Sequence, residues 1–501
     1  MSAEQLFTVA QIMQDSNVGF GTSGARGLVS NMTAAVCYAY TRAFLQHLTQ
    51  QHGLPPGVRV AIAGDLRPST PDIMAAVAHA VKAAGHQPVN CGFIPSPAVA
   101  YYGLREGIPA VMVTGSHIPD DRNGIKFYRP DGEILKEDEV AMRAQQVVMP
   151  NLSFAQAHAS LPALDPSAGE YYLLRYLDFF PSNCLAGLRI GVYEHSSVAR
   201  DMLSELLYTF GAEVVSLGYS NRFIPVDTEA IRAEDIDLAR QWAAVSPGLD
   251  AIVSTDGDAD RPLVATEEGE WIRGDVLGIL CSHYLGIERV VTPVSSNTAV
   301  ERCGLFDQVV RTRIGSPYVI AGMQASSGED KKVAGYEANG GFLLASDIDS
   351  DGNRLQALPT RDAFIVILSV LLNARKNDCS LSGLQQALPQ RYTASDRIEQ
   401  FPTEQSHQWI ARLTGDPEMA GSVFGKICTG VRDMDTTDGL RITFSNGEIV
   451  HLRASGNAPE LRCYTEADSP ARTTFMNQAC ISIMAGWRET PPMTPDPAQS
   501  Q

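Results

Sequence analysis

The chain has no apolar stretch long enough to cross a bilayer. Its longest, about Phe364 to Leu372, falls well short of the ~20 residues a spanning helix needs. The opening residues, MSAEQLFTVAQIMQ, lack a basic start followed by an apolar core, so no secretory signal is expected. Cysteine is sparse and unpatterned: nine residues, an odd number, with no CxxC pair. That argues against a disulfide framework or a thiolate metal site and for reduced thiols in a cytoplasm. Positive charge is also short, 39 Lys and Arg against 57 Asp and Glu, a formal net charge of −18. Nucleic acid and anionic membrane are therefore excluded as main partners, although a local cluster of Arg and Lys can still receive a small anion. With 44% hydrophobic and 19% charged residues, the composition excludes a disordered, collagenous or coiled-coil chain.

At about 150 residues per domain, 501 residues predict three or four domains. Three stretches read as strand, turn, helix, turn, strand: Val58 to Gly92, Leu188 to Gly218 and Arg289 to Gly315. They share architecture rather than residues, which predicts three related α/β domains. Gly439 to Ala467 alternates polar and apolar around Ser445-Asn446-Gly447, a hairpin signal, and a helix is expected from about Ala471 to Trp487. This end reads as an α+β domain. The stretch Val147 to Ser167 reads as a linker, and the Pro-rich tail from Pro491 as disordered.

Four segments carry chemistry. In VTGSHIPDDRNGIKFY, Val113 to Tyr128, an apolar strand runs into a turn at Gly115 that presents Ser116 beside His117. In STDGDADRPLV, Ser254 to Val264, Asp256, Asp258 and Asp260 alternate, a spacing that lets one loop turn three carboxylates toward a hard cation such as Mg²⁺. An EF-hand is excluded, because its glycine position holds Arg261 and strands stand where helices are needed. A second acidic run, SDIDSDG from Ser346 to Gly352, lacks an acidic twelfth ligand and reads as a surface loop. In HLRASGNAPELR, Arg453, Ser455, Gly456 and Asn457 make a donor-rich turn suited to a phosphate, with Arg462 close behind. In FGTSGARG, Phe20 to Gly27, a glycine-rich loop carries Arg26.

Taken in order, GTSGARG, TGSHIPDDRNGIK, DGDADR, EANGG and RASGNAPELR resemble the α-D-phosphohexomutases, the phosphomannomutase and phosphoglucomutase family, over about Phe20 to Ala467. The resemblance implies an α/β fold of four domains around a central cleft, three with mixed sheets and one C-terminal α+β domain. The boundaries expected are 1–160 for the domain with the phosphoserine loop, 161–273 for the metal loop, 274–385 for the sugar-recognition loop and 386–490 for the phosphate-binding loop, with a tail at 491–501. It implies an isomerase that moves a phosphoryl group between O1 and O6 of a hexose phosphate through phosphoserine and a hexose 1,6-bisphosphate, with mannose favoured over glucose.

By motif position, Ser116 is the phosphoryl carrier and a Mg²⁺ ligand with Asp256, Asp258 and Asp260. Lys126, Arg26 and His117 are expected at the reacting groups. Arg261, Glu337, Asn339, Arg453, Ser455, Gly456, Asn457 and Arg462 are expected on the substrate. Gly341 and Ser316 stand where the family often carries histidine, which shifts proton transfer toward Lys126 or His117. Hexose 1,6-bisphosphate is the expected activator, hexose phosphates the partners, and a monomer or homodimer the state. A hinge is expected between Leu384 and Tyr392, as the one connection to the C-terminal domain. Two other classes fit parts of the pattern: a phosphohydrolase using an Asp of DGDADR as nucleophile, and a non-catalytic sugar-phosphate binder.

Overall fold

The computed structural model describes residues 6–21, 24–328, 330–455 and 459–488, and the chain divides into two compact units. The first holds the chain up to Val291 together with Gly315–Gln385; the second holds Thr292–Ile314 and the chain from Gln386 onward. The chain thus passes between the units three times rather than through one hinge segment. The reason is local bonding inside the second unit: the Asn297 amide donates to the Arg391 carbonyl at 2.6 Å, and the Thr298 N–H donates to the Glu466 carboxylate.

Three sheets repeat one plan. Each has parallel strands at its centre and then an antiparallel hairpin. In the first, Arg59–Gly64 lies between the parallel strands Gln87–Phe93 and Ala110–Val113, and Ala110–Val113 turns back into Arg122–Arg129. In the second, Arg189–Tyr193 lies parallel to both Glu213–Leu217 and Ala251–Thr255, which turns back into Pro262–Ala265. In the third, Arg289–Pro293 runs parallel to Val333–Tyr336, which turns back into Phe342–Leu344. The central strands are buried beyond their first residue, and Ala251–Thr255 throughout, as expected where both faces of a sheet are covered. The three hairpin loops carry TGSHIPDD, DGDADR and EANGG respectively. The mixed sheets expected from the sequence are present.

The helix Ala34–His52 starts where the Thr33 hydroxyl accepts the Val36 N–H and ends at Gly53 with φ 64°. It packs with Thr70–Ala83 in the core of the first domain. The long apolar run belongs to Ala363–Lys376, a helix buried over most of its length. Among the described residues, no helix is long and apolar enough to cross a membrane. All nine cysteines are free.

One expectation is corrected and another refined. Val147 to Ser167 is not a plain linker: Gln146–Val148 pairs with Leu6–Thr8, and Val147 and Ala157 enter the first domain's core with Phe154 and Leu161 against it. Its apolar residues are too scattered to show periodicity, yet burying them still stabilises the segment. The run SDIDSDG lies at the surface as expected, but it is paired rather than a plain loop. Ile348–Ser350 and Asn353–Leu355 form a hairpin, and Asp351 and Gly352 supply the two positive φ values, 50° and 84°, that a tight turn of this hand requires.

The second unit holds a five-stranded antiparallel sheet in the order Tyr392–Ile398, Leu461–Ala467, Ile449–Ala454, Leu440–Phe444, Val431–Asp435. The expected hairpin at Asn446-Gly447 joins two of these strands, and the helix Pro470–Gly486 packs against the sheet. The tail from Pro491 lies outside the described residues.

Candidate active site

Strand Ala110–Val113 delivers the chain to Ser116, which sits at φ 56° and is 1% exposed. A left-handed serine is strained, and the surroundings hold it there. The Ser116 N–H donates to Thr114 Oγ1 at 2.7 Å, and the Thr114 hydroxyl donates to Asp65 at 2.7 Å. Beneath the loop, the buried Arg67 guanidinium donates to four main-chain carbonyls, those of Ser116, Ile118, Pro119 and Arg122, while its Nε pairs with Asp65 at 3.0 Å. A Cβ at position 115 would lie 2.6 Å from Arg67 Cζ, so Gly115 is required by this close approach. Nothing in the sequence singled out Arg67.

Ser116 Oγ donates to Asp256 Oδ2 at 2.7 Å and lies 3.3 Å from His117 Nδ1. Asp256, Asp258 and Asp260 are all buried, and one carboxylate oxygen from each falls within 4.8 Å of the others. Asp256 Oδ1 accepts the N–H groups of Asp260 and Arg261, both at 3.2 Å, which fixes the loop around it. Asp258 Oδ2 accepts from the Ser96 hydroxyl and from Lys126 Nζ, the latter at 2.6 Å. Asp260 Oδ2 accepts from Lys126 Nζ at 2.6 Å and pairs with Arg361 at 3.0 Å. Among the described residues, Asp258 Oδ1 and Asp260 Oδ1 are buried without a hydrogen-bond partner. Two orphaned anionic oxygens beside a third carboxylate and a serine hydroxyl fit an oxygen-ligated dication. Among the described residues, the other grouping of metal-ligand type, His47, His52 and Asp138, has a structural use: Asp138 Oδ1 pairs with His47 at 2.8 Å, and its Oδ2 takes the Leu135 N–H and Arg129, each at 2.7 Å.

Burial and the charges of Asp258 and Asp260 push the Asp256 carboxyl well above the usual range. Burial also opposes the Asp258 charge, but the Lys126 ammonium outweighs it and holds Asp258 below that range. Burial disfavours the Lys126 charge as well, and the two carboxylates overcome it, so Lys126 is held charged. Clamped by two carboxylates in this geometry, the Lys126 ammonium neutralises charge at the carboxylate loop. Burial and the Arg261 charge push His117 down to about 3, keeping the imidazole neutral, with Nδ1 accepting from Arg261 Nη1 at 2.9 Å. Burial and Arg261 lower Arg26 to about 10, which leaves it a cation at neutral pH. Arg26 is on strand Ala25–Leu28, opposite Gly124 of the serine hairpin.

In the third hairpin, the Glu337 N–H donates to the Gly341 carbonyl at 3.0 Å, and the Gly341 N–H donates to Asn339 Oδ1 at 2.9 Å. Glu337 and Asn339 are both buried, and burial raises the Glu337 carboxyl against the lowering effect of Arg361. Ser316 is buried with its hydroxyl 3.3 Å from Glu133 Oε2. In the second unit, Arg453 and Arg462 face each other across paired strands, and Ser455 follows at the strand's end. Arg453 pairs with Asp438 at 2.8 Å, and Arg462 with Glu460 at 3.1 Å. Gly456 and Asn457 lie outside the described residues.

Known proteins match this chain over most of its length. Family models for phosphoglucomutase/phosphomannomutase match as α/β/α domain I at residues 17–146, domain II at 174–269, domain III at 273–392 and the C-terminal domain at 401–478. A phosphomannomutase of Salmonella muenchen is 45% identical over 466 residues, covering 93% of this chain and 95% of that one. A phosphomannomutase of Sinorhizobium fredii is 44% identical over 454 residues, covering 90% and 95%. A solved structure, a putative phosphomannomutase from Thermus thermophilus, superposes with a TM-score of 0.73 at 20% identity, covering 94% of this chain and 99% of that one, a likeness of fold alone. Fold and relatives agree on the class, that of the α/β phosphohexomutases. Within it, the chain belongs to the phosphoglucomutase/phosphomannomutase family.

Proposed function

We propose that this chain is a phosphomannomutase, an isomerase that exchanges mannose 1-phosphate and mannose 6-phosphate with Ser116 as the phosphoryl carrier. The observation that carries the reading is the buried Ser116 Oγ, 2.7 Å from one of three convergent carboxylates. A phosphatase built on an aspartyl nucleophile needs no such serine, and a pure binding protein needs none either. The identity of 44–45% to two phosphomannomutases supports mannose.

Phosphoryl transfer asks a protein mainly for positioning and charge neutralisation. Arg67 holds the serine backbone in its strained turn. The Ser116 hydroxyl donates to Asp256 Oδ2, the acceptor in reach of its proton, while His117 Nδ1, 3.3 Å away, is engaged by Arg261. Lys126, Arg261 and Arg26 bring positive charge to the transferring group. Asp256, Asp258 and Asp260 would hold Mg²⁺ together with a serine phosphate oxygen. That ion supplies a Lewis acid for charge on the bridging oxygen. Glu337 and Asn339 read the sugar hydroxyls, and Arg453, Ser455, Gly456, Asn457 and Arg462 hold the phosphate that does not react in that half-step. The bisphosphate turns over between half-steps, and added hexose 1,6-bisphosphate acts as activator by phosphorylating Ser116. The domain boundaries that go with this reading are those expected from the sequence.

The test is the rate on mannose 1-phosphate and glucose 1-phosphate with Mg²⁺ and catalytic bisphosphate. Turnover of both, with mannose ahead, is expected. Release of inorganic phosphate without isomerisation would replace this reading with a phosphatase.

A further inference from the structure

Arg361 is 3% exposed, and its guanidinium lies between two of the three loops. One nitrogen stands 3.0 Å from Asp260 Oδ2 and another 3.6 Å from Glu337 Oε2. Its side-chain stem passes over Gly341: a Cβ at 341 would lie 2.5 Å from Arg361 Cδ and 2.7 Å from its Cγ. Gly341 is not among the glycines with positive φ, so its backbone does not call for glycine. The arginine stem does.

The segment carrying Arg361 is pinned on both sides. Before it, the Thr360 hydroxyl donates to Glu133 Oε1 at 2.5 Å, and Glu133 also takes Ser316. After it, Asp362 accepts from Tyr172 and Tyr176 and caps the helix Ala363–Lys376 through the Phe364 and Ile365 N–H groups. A side chain anchored this way is preorganised, and an arginine fork can serve two carboxylates at once where a lysine ammonium is a point charge.

We propose that Arg361 is a positioning residue that couples the sugar-reading hairpin to the carboxylate loop, and that Gly341 is glycine to leave room for it. Glu337 is thereby aimed at the sugar hydroxyls by the same cation that braces Asp260. A sugar correctly read at Glu337 is placed by a group in register with the transfer site. This rests on the reading of Glu337 as the sugar contact given above.

Two double-mutant cycles test it, both on the full-length enzyme. In the first, kcat/KM on mannose 1-phosphate is measured for wild type, Arg361→Lys, Glu337→Gln and the pair. Arg361→Lys is expected to cost about tenfold, the range found when an outer partner of a site ligand is changed, and less than twofold when Glu337 is already Gln. Losses that multiply in the double variant would overturn the proposal. The second cycle reads thermal unfolding and needs no activity. Gly341→Ala is expected to lower Tm by about 4 °C or more, as overpacking does, and to change it little in an Arg361→Ala background. An equal Tm loss in both backgrounds would remove the steric half. Should Arg361→Ala not fold, Arg361→Ser serves in its place. If the wild type turned over no hexose phosphate, the functional reading would fall, while the Tm cycle would still decide whether Arg361 and Gly341 share the space.

Discussion

The serine hairpin and the sugar hairpin are built to one topology, yet each is held by a buried arginine in a different way. Under the first, Arg67 lies against Gly115 and gives most of its donors to main-chain carbonyls. Under the second, Arg361 lies against Gly341 and forms ion pairs with side-chain carboxylates, Asp260 at 3.0 Å and Glu337 at 3.6 Å. The difference matches what each loop must place. Ser116 is short, so its position is the position of its backbone, and fixing that backbone fixes Oγ. Glu337 is long and rotatable, so its carboxylate is aimed only by a partner at its tip. In both cases a glycine marks the point where guanidinium or stem passes closest to the chain.

Changes at the two hairpins should separate along this line. The largest effect is expected at Ser116. Ser116→Ala should cut turnover by about 10⁴-fold, since a missing carrier leaves only binding and charge, while Tm stays within about 2 °C of wild type; kinetics and calorimetry on one preparation check both. Next comes Arg67→Leu, which leaves Asp65 buried without its cation and four carbonyls without donors. A stability loss of about 3–5 kcal/mol is expected from denaturant unfolding, and a loss under 1 kcal/mol would show that the loop holds itself. Asp258→Asn removes a formal charge from the carboxylate group, so weaker Mg²⁺ binding by calorimetry and a fall of about 10²-fold in kcat are expected. The smallest effect belongs to the sugar hairpin. Glu337→Gln should lower kcat/KM about tenfold on mannose 1-phosphate and glucose 1-phosphate alike, because mannose and glucose differ at O2 and a site reading O3 and O4 senses neither change. Loss of one sugar with retention of the other would place Glu337 at O2.

The loops were legible in the sequence because each is a short, contiguous run in which one residue type recurs at a spacing that chemistry explains. Ser116 follows an apolar strand and a glycine, and Asp256, Asp258 and Asp260 alternate within five residues. The arginines that hold the loops were not legible. Arg67 acts on carbonyls 49 to 55 residues away, and a carbonyl carries no side-chain signature. Arg361 stands before a helix cap, where a lone charge has no pattern to betray it. The same physics hid the segment Val147 to Ser167, whose few apolar residues are buried by tertiary packing that periodicity does not register, and the Asp351-Gly352 turn, whose acidic composition masked a hairpin.

The central claim is that Ser116 carries the phosphoryl group against the three carboxylates. Its most direct test is to incubate the enzyme with hexose 1,6-bisphosphate and Mg²⁺, then map the modified residue by peptide mass spectrometry. The account predicts one phosphoryl group, on Ser116, absent from Ser116→Ala. A phosphoryl group on Asp256, Asp258 or Asp260, or an undiminished mass shift in Ser116→Ala, would contradict it.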